Sequence, residues 1–247
     1  MHRNYFVLLS VVGNLSAIKE NTKLNLQKKM KTIIFGNNQT AQLAHYYLSI
    51  DSEHEVVAFT VNKNYLTEST FCDLPVVPFE EVENIYPPTE YAFFVPMTYR
   101  KMNNDRKMIY EQAKAKGYSF ISYISSKATV FDNVEIGENC FILEDNTIQP
   151  FVKIGNNVVL WSGNHIGHHG TIKDHVFVTS QVVISGNCVI ENNCFLGVNA
   201  TVRDFTKMGE YTFVAMGARI TENTEPFSLY SESGSKKINM SSLKLRI

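Results

Sequence analysis

The sequence has four cysteines, a single tryptophan, no excess of either charge and no long hydrophobic run. Each shortage excludes a class of protein. Cys72, Cys140, Cys188 and Cys194 form no CxxC pair and are too few for a disulfide scaffold, so a reducing compartment, the cytoplasm, is expected. Lys plus Arg total 23 against 24 Asp plus Glu, a net charge of −1. Nothing in that balance supplies the basic stripe that nucleic acid requires. The early apolar run Tyr5–Val12 is too short to span a bilayer. Its basic lead resembles a weak signal peptide, but no small-residue cleavage site follows. Residues 1–29 are therefore read as an extension outside the fold, with Met30 opening the first strand. What remains is a 247-residue chain, 44% hydrophobic, enough for one large or two small cores.

What the sequence does have is a repeat. From Ala128 an aliphatic residue or Met closes every six residues: Val130, Ile136, Ile142, Ile148, Ile154, Leu160, Ile166 and onward to Ile220, with no slip. Two positions earlier sits a small, thin or amide residue, such as Cys140, Asn146, Val152 or Ala200. A period of six suits neither an amphipathic helix nor a plain alternating strand. It suits short strands separated by a corner, three sides making an eighteen-residue triangular coil, with the aliphatic residues inward. That is a parallel β-helix of hexapeptide repeats, in which each coil rests on its neighbours. Gly137, Gly155, Gly167, Gly197 and Gly209 each follow an inward aliphatic residue, where the chain is expected to turn a corner and a Cβ is least welcome. Cys140, Cys188 and Cys194 share one repeat position and read as core packing.

Residues 30–125 alternate strand and helix patterns: KTIIFG, a helix from Asn38 as N-cap, EVVAFTV, YAFFVPM, the amphipathic NNDRKMIYEQAKAKG ended by Gly117, and a last strand in YSFISYI. This is a small Rossmann-like parallel α/β domain. Its first strand–helix turn, at Gly36 and Asn38, is where a nucleotide phosphate would meet a helix N-terminus. It carries one glycine of the three in a dinucleotide fingerprint, and an ordinary turn is the competing reading. Tyr99 and Arg100, after the third strand, are candidates for base stacking and phosphate pairing, against a solvated helix start. Domains are expected at 30–125 and 126–222, with 223–247 leaving the repeat as a cap.

An α/β domain joined at ISSKATV to an uninterrupted hexapeptide helix resembles the bacterial acetyltransferases of nucleotide-linked sugars, including amino-sugar N-acetyltransferases and sialic-acid O-acetyltransferase relatives. The segments NHIGHHGTIKDHVFV, VVISGNCVI and NCFLGVNATV carry the likeness. The resemblance implies a left-handed helix, a homotrimer, acetyl-CoA as cosubstrate in a groove between subunits, His168 as general base and the Gly186 N–H as oxyanion donor. Coil arithmetic agrees: 168 and 186 are one coil apart, about 4.8 Å. It also implies that Ala215, Met216 and Gly217 line the CoA tail.

Three departures stand out. Gly167 occupies the place of a carboxylate before the base, Trp161 that of an asparagine, and Phe177 that of a second histidine. Glu144 or Asp145 is the candidate replacement carboxylate. The C-terminus lacks the family's usual Gly-x-Pro-Ala-Lys ending.

The other histidines of WSGNHIGHHGTIKDH divide. His165 points outward and either lines the acceptor or CoA groove or fills a trimer interface. His169 meets either the acceptor or Asn187, one coil on. His175 reads as structural. Trp161 either stacks on a substrate ring or packs an interface. Zinc is the rival. Hexapeptide carbonic anhydrases use a His-x4-His pair and a distant third histidine, whereas the spacing 165, 168, 169, 175 contains no such pair, and His45 and His54 lie in the other domain. No metal is expected. The expected activity is acetyl transfer to an amine or hydroxyl of a nucleotide-linked sugar. The alternatives are another acyl donor or a non-sugar acceptor, and a noncatalytic ligand-binding solenoid.

Overall fold

A computed structural model describes residues 29–234; the expected extension falls almost wholly outside them. The α/β part begins with β1 (Lys31–Phe35), α1 (Gln39–Asp51) and β2 (Glu55–Val61). Then come β3 (Thr70–Phe71), β4 (Leu74–Pro78), α2 (Val82–Ile85), β5 (Tyr91–Phe94), α3 (Asn104–Ala115) and β6 (Ser119–Phe120). The sheet order is β3-β4-β2-β1-β5-β6, parallel except for the β3–β4 pair. The order reverses between β1 and β5, which places the turns after those strands beside one crevice. Strand β4 was not anticipated. Its two prolines stand near its ends, with only the two-residue β3 beyond it, and Cys72 and Asp73, both at positive φ, close the tight turn that pairs it with β3.

The second part is a parallel β-helix with three flat sheets. Partners are one coil, eighteen residues, apart, as in Thr147↔His165 and His165↔Val183. The inward positions Ile142, Ile148, Leu160, Ile166, Ile184 and Leu196 are at most 1% exposed. Each contributes about 1.5–3 kcal/mol by burial, and the seam continues through the core from Cys140 to Ile220.

The helix is longer than expected at both ends. Tyr123–Ile124, read from sequence as part of the last α/β strand, pairs instead with Phe141–Ile142. Residues 223–230 stay in the coil rather than leaving it: Leu229–Tyr230 pairs with Phe213–Val214, a step of sixteen residues, because the inward place on the third side falls to Thr224. Thr224 is 7% exposed and bonded to Thr212 and the Gly209 N–H.

The corner glycines stand where a Cβ has no room, as expected. Gly137, Gly155, Gly167, Gly197 and Gly209 are not at positive φ. A Cβ on Gly167 would lie 2.5 Å from the Gly186 nitrogen and 2.6 Å from the Ser185 carbonyl carbon, so these residues let successive coils touch. The left-handed residue of each corner comes two positions later: Asn139, Asp145, Phe151, Asn157, His169, His175 and Asn187, among others. Asn and Asp tolerate that conformation best.

The α/β part lies over the first sheet, whose outward column is Tyr123, Phe141, Val159, Phe177, Phe195 and Phe213. At the third corner, between the third and first sheets, Arg106 is fully buried. It donates to Asn157 Oδ1 (3.2 Å), Asn103 Oδ1 (3.3 Å) and the carbonyls of Met97, Thr98, His175 (2.8 Å) and Val176. Asn103 donates to the carbonyls of Asn193 and Cys194, and Asn139 accepts from the Val95 N–H.

Candidate active site

The second corner, between the second and third sheets, is the vertex opposite the covered first sheet. His168 and His169 sit there and are exposed. Strand His165–Ile166 delivers them, and the Gln149 carboxamide, on the coil before, accepts the His168 N–H at 2.9 Å. The Asn187 N–H bonds the His168 carbonyl at 2.9 Å, fixing the next coil against it. The imidazole of His168 lies over Gly186: a Cβ built there would sit 3.0 Å from both Cε1 and Nε2. The absence of a side chain at 186 is what leaves room for the ring. Among the described residues, the Gly186 N–H has no acceptor. At the equivalent places of the third corner, side chains take these N–H groups: Asn156 caps Glu138, Asp174 caps Asn156 and Asn192 caps Asp174. An imidazole nitrogen beside an uncommitted N–H can take a proton and steady an oxyanion.

His169 packs its ring on Phe151, centroids 4.6 Å apart, and meets His168 Nδ1 to Nδ1 at 3.1 Å. It makes no side-chain hydrogen bond to Asn187, whose link to this corner is its backbone N–H. His165 is half-buried between Thr147 and Val183 on the second sheet. His175 belongs to the third corner. It is 8% exposed, its Nδ1 is 2.9 Å from Asn157 Nδ2, and burial lowers its pKa to about 4. Sequence reasoning passed over Gln149 and Phe151. Subtracting one coil from 167 and 169 would have found both.

Other candidates lie elsewhere. Glu144 and Asp145 fall on the first corner and cannot stand in for the missing carboxylate, since one coil on from 144 is Ser162, not His168. Glu144 accepts from Tyr47 Oη (2.8 Å) and Ser162 Oγ (2.6 Å). Burial alone would raise its carboxyl, but those bonds hold it below the ordinary range. Trp161 is also at the first corner, its ring 6.5 Å from Phe177 at the edge of the domain junction. Ala215, Met216 and Gly217 form a later turn of that corner; Met216 is 72% exposed and Gly217 has φ +72°.

At the β1–β5 crevice, Gly36 has φ +115° and donates to Thr60. Asn38 Oδ1 caps α1 by accepting from the N–H groups of Thr40 and Ala41, so those two donors are already engaged. Tyr99 rests on Phe177 and Phe195, and Arg100 pairs with Asp105 at 3.2 Å. Cys140, Cys188 and Cys194 are buried and free; burial pushes the Cys140 and Cys194 thiols up to about 12, which suits packing and not nucleophilic work. Among the described residues, no three His, Cys, Asp or Glu side chains gather as a metal-binding group, and no helix is long and apolar enough to cross a membrane.

Residues 133–168 match the bacterial transferase hexapeptide (six repeats) model. No curated protein matches at a significant level. Among solved structures, a variant of perosamine N-acetyltransferase from Caulobacter crescentus, in complex with CoA and GDP-perosamine, is similar with a TM-score of 0.73 and 19% identity, over 81% of this chain and 92% of that one. The acetyltransferase domain of PglB from Neisseria gonorrhoeae gives 0.70 and 20%, over 79% and 93%. WeeI from Acinetobacter baumannii gives 0.67 and 19%, over 81% and 96%. Repeat and architecture agree: the chain has the left-handed β-helix fold of hexapeptide repeats, with a Rossmann-like α/β unit in front.

Proposed function

We propose that this protein is an acetyl-CoA-dependent acetyltransferase acting on an amino or hydroxyl group of a nucleotide-linked sugar. The observation that carries the reading is the His168 ring packed on Gly186, whose N–H is uncommitted. His168 Nε2 takes the acceptor's proton as its nitrogen or oxygen attacks the thioester carbonyl. The Gly186 N–H steadies the oxyanion. Collapse expels the CoA thiolate, which recovers a proton from the imidazolium. No covalent enzyme intermediate is needed, in keeping with the buried cysteines. The fold shared with proteins crystallised with CoA and GDP-perosamine supports both substrates.

The α/β unit covers the first sheet, away from the base of its own chain. A nucleotide held at Gly36, Asn38, Tyr99 and Arg100 would therefore serve a neighbouring copy, which supports a homotrimer with Ala215–Gly217 along the CoA groove. His165 and His169 face the acceptor side. The free cysteines support a cytoplasmic setting, and residues 1–29 are proposed to be dispensable. The experiment is thiol release from acetyl-CoA with GDP- and UDP-linked amino sugars, beside light scattering. Turnover in a trimer is the expected result; a fully active monomer would remove the shared site, and CoA binding without turnover on any acceptor would favour a ligand-binding solenoid.

A further inference from the structure

Gly167 leaves the base without the neighbouring carboxylate that similar enzymes use, and the structure offers something else in its place. His168 and His169 face each other Nδ1 to Nδ1 at 3.1 Å. Two lone pairs do not meet at that distance, so one ring carries its proton on Nδ1 and the other accepts it. His169 is not free to choose its orientation. Its backbone is held at φ +55° by the corner, and its ring lies on Phe151 with the planes 29° apart. Phe151 in turn has φ +65°, a conformation that favours Gly or Asn, yet an aromatic residue stands there. Meanwhile the Cε1–Nε2 edge of His168 lies over Gly186, where the acyl group would be polarised.

We propose that His169, clamped by Phe151, sets the tautomer of His168: His169 Nδ1 accepts the Nδ1 proton of His168 and leaves Nε2 unprotonated over Gly186. The same contact fixes the rotation of the ring. His169 is a positioning residue, and its effect on turnover rests on the reading of His168 as the base. The arrangement does for an imidazole what a buried carboxylate does in a serine hydrolase triad, with a neutral acceptor in place of a charged one.

The test is a pair of substitutions that both suit a left-handed backbone. His169→Asn keeps an acceptor oxygen; His169→Gly keeps the fold and removes the acceptor. Imidazole nitrogen shifts of the substrate-free protein at pH 8 report the tautomer directly. Wild type and His169→Asn are expected to hold His168 with its proton on Nδ1, and His169→Gly to move the population toward Nε2. With acetyl-CoA and GDP-perosamine, His169→Gly should lower kcat by about 10–100-fold, while the acetyl-CoA KM moves by less than about 2-fold. His169→Asn should restore most of that loss, and Phe151→Ala should fall between. A His168 that carries its proton on Nε2 in wild type overturns the proposal, as does a His169→Gly protein with unchanged shifts. Full turnover in His168→Ala would instead sink the base assignment, and the nitrogen shifts would still decide the pairing.

Discussion

His169 and His175 stand six residues apart at equivalent corner places, with φ of +55° and +63°. One is exposed, stacked on Phe151 and bonded to another imidazole. The other is 8% exposed, wedged between Asn157 and the aromatic ring of Tyr110, with its carbonyl held by Arg106. The repeat sets the backbone of both alike. What separates them is covering: the α/β unit seals the third corner and leaves the second open. Chemistry in this fold therefore depends on which vertex of the triangle stays free, more than on which residue type the corner carries.

The largest expected effect breaks the open corner. His168→Ala should lower kcat by about 10²–10⁴-fold, the usual worth of a general base, with thermal stability near wild type because the ring is exposed. The covered corner breaks differently. Arg106→Ala would remove the donor to six acceptors, of which Asn157 Oδ1 and the Val176 carbonyl keep another, and would leave a cavity; it should cost about 3–5 kcal/mol in denaturant unfolding. Phe151→Ala at the open corner should cost well under about 1 kcal/mol by the same measure.

His175 gives the third test. Its folded pKa is about 4, below the ordinary 6.5, because burial disfavours the charged ring. The unfolded chain thus binds a proton that the folded one refuses. The stabilisation is complete above pH 6.5, is lost as pH falls toward about 4, and changes no further below that. The loss should be about 1–3 kcal/mol, and His175→Asn should abolish that part of the pH dependence. A wild-type melting temperature flat from pH 7 to pH 4 would contradict the covering argument.

The smallest effect sharpens the contrast at the open corner itself. In Gly186→Ala the new Cβ meets the movable His168 ring, so stability should stay within about 1 kcal/mol while kcat falls about tenfold through misplacement. Gly167→Ala puts its Cβ against backbone and should instead lower stability, by about 1–3 kcal/mol.

Much of this was legible in the sequence, and the reasons differ by region. The solenoid could be read because each coil needs only its neighbours, so its rule is local and repeats. The pairing of 168 with 186 followed from the same arithmetic. The ends resisted. Tyr123–Ile124 looks like any α/β strand until its partner, eighteen residues on, is considered, and TENTEP hides a sixteen-residue coil because Thr224 replaces the aliphatic residue. The search for a carboxylate failed because Glu144 and Asp145 are near in sequence but on another corner. Trp161 and Tyr99 also touch the outward aromatic column at the junction, a contact the sequence reading did not assign to Tyr99. That column, at a spacing of eighteen, was the available signal. Arg106 left none: nothing in a helix pattern says that a guanidinium will be enclosed with carbonyl and carboxamide oxygens and no carboxylate.

The exposed residues of the open second corner have a consequence for how such a protein can change. They project away from the aliphatic seam, and each column advances along the helix axis by one coil, about 4.8 Å. The columns act as graduated rails. A side chain exchanged at this corner alters what is displayed at one mark without disturbing the interior, and a base moved from 168 to 186, with glycine shifted to 204, would carry the reacting centre one mark along the axis. Acceptors of different length could then be met by sliding the chemistry, with the architecture left as it is.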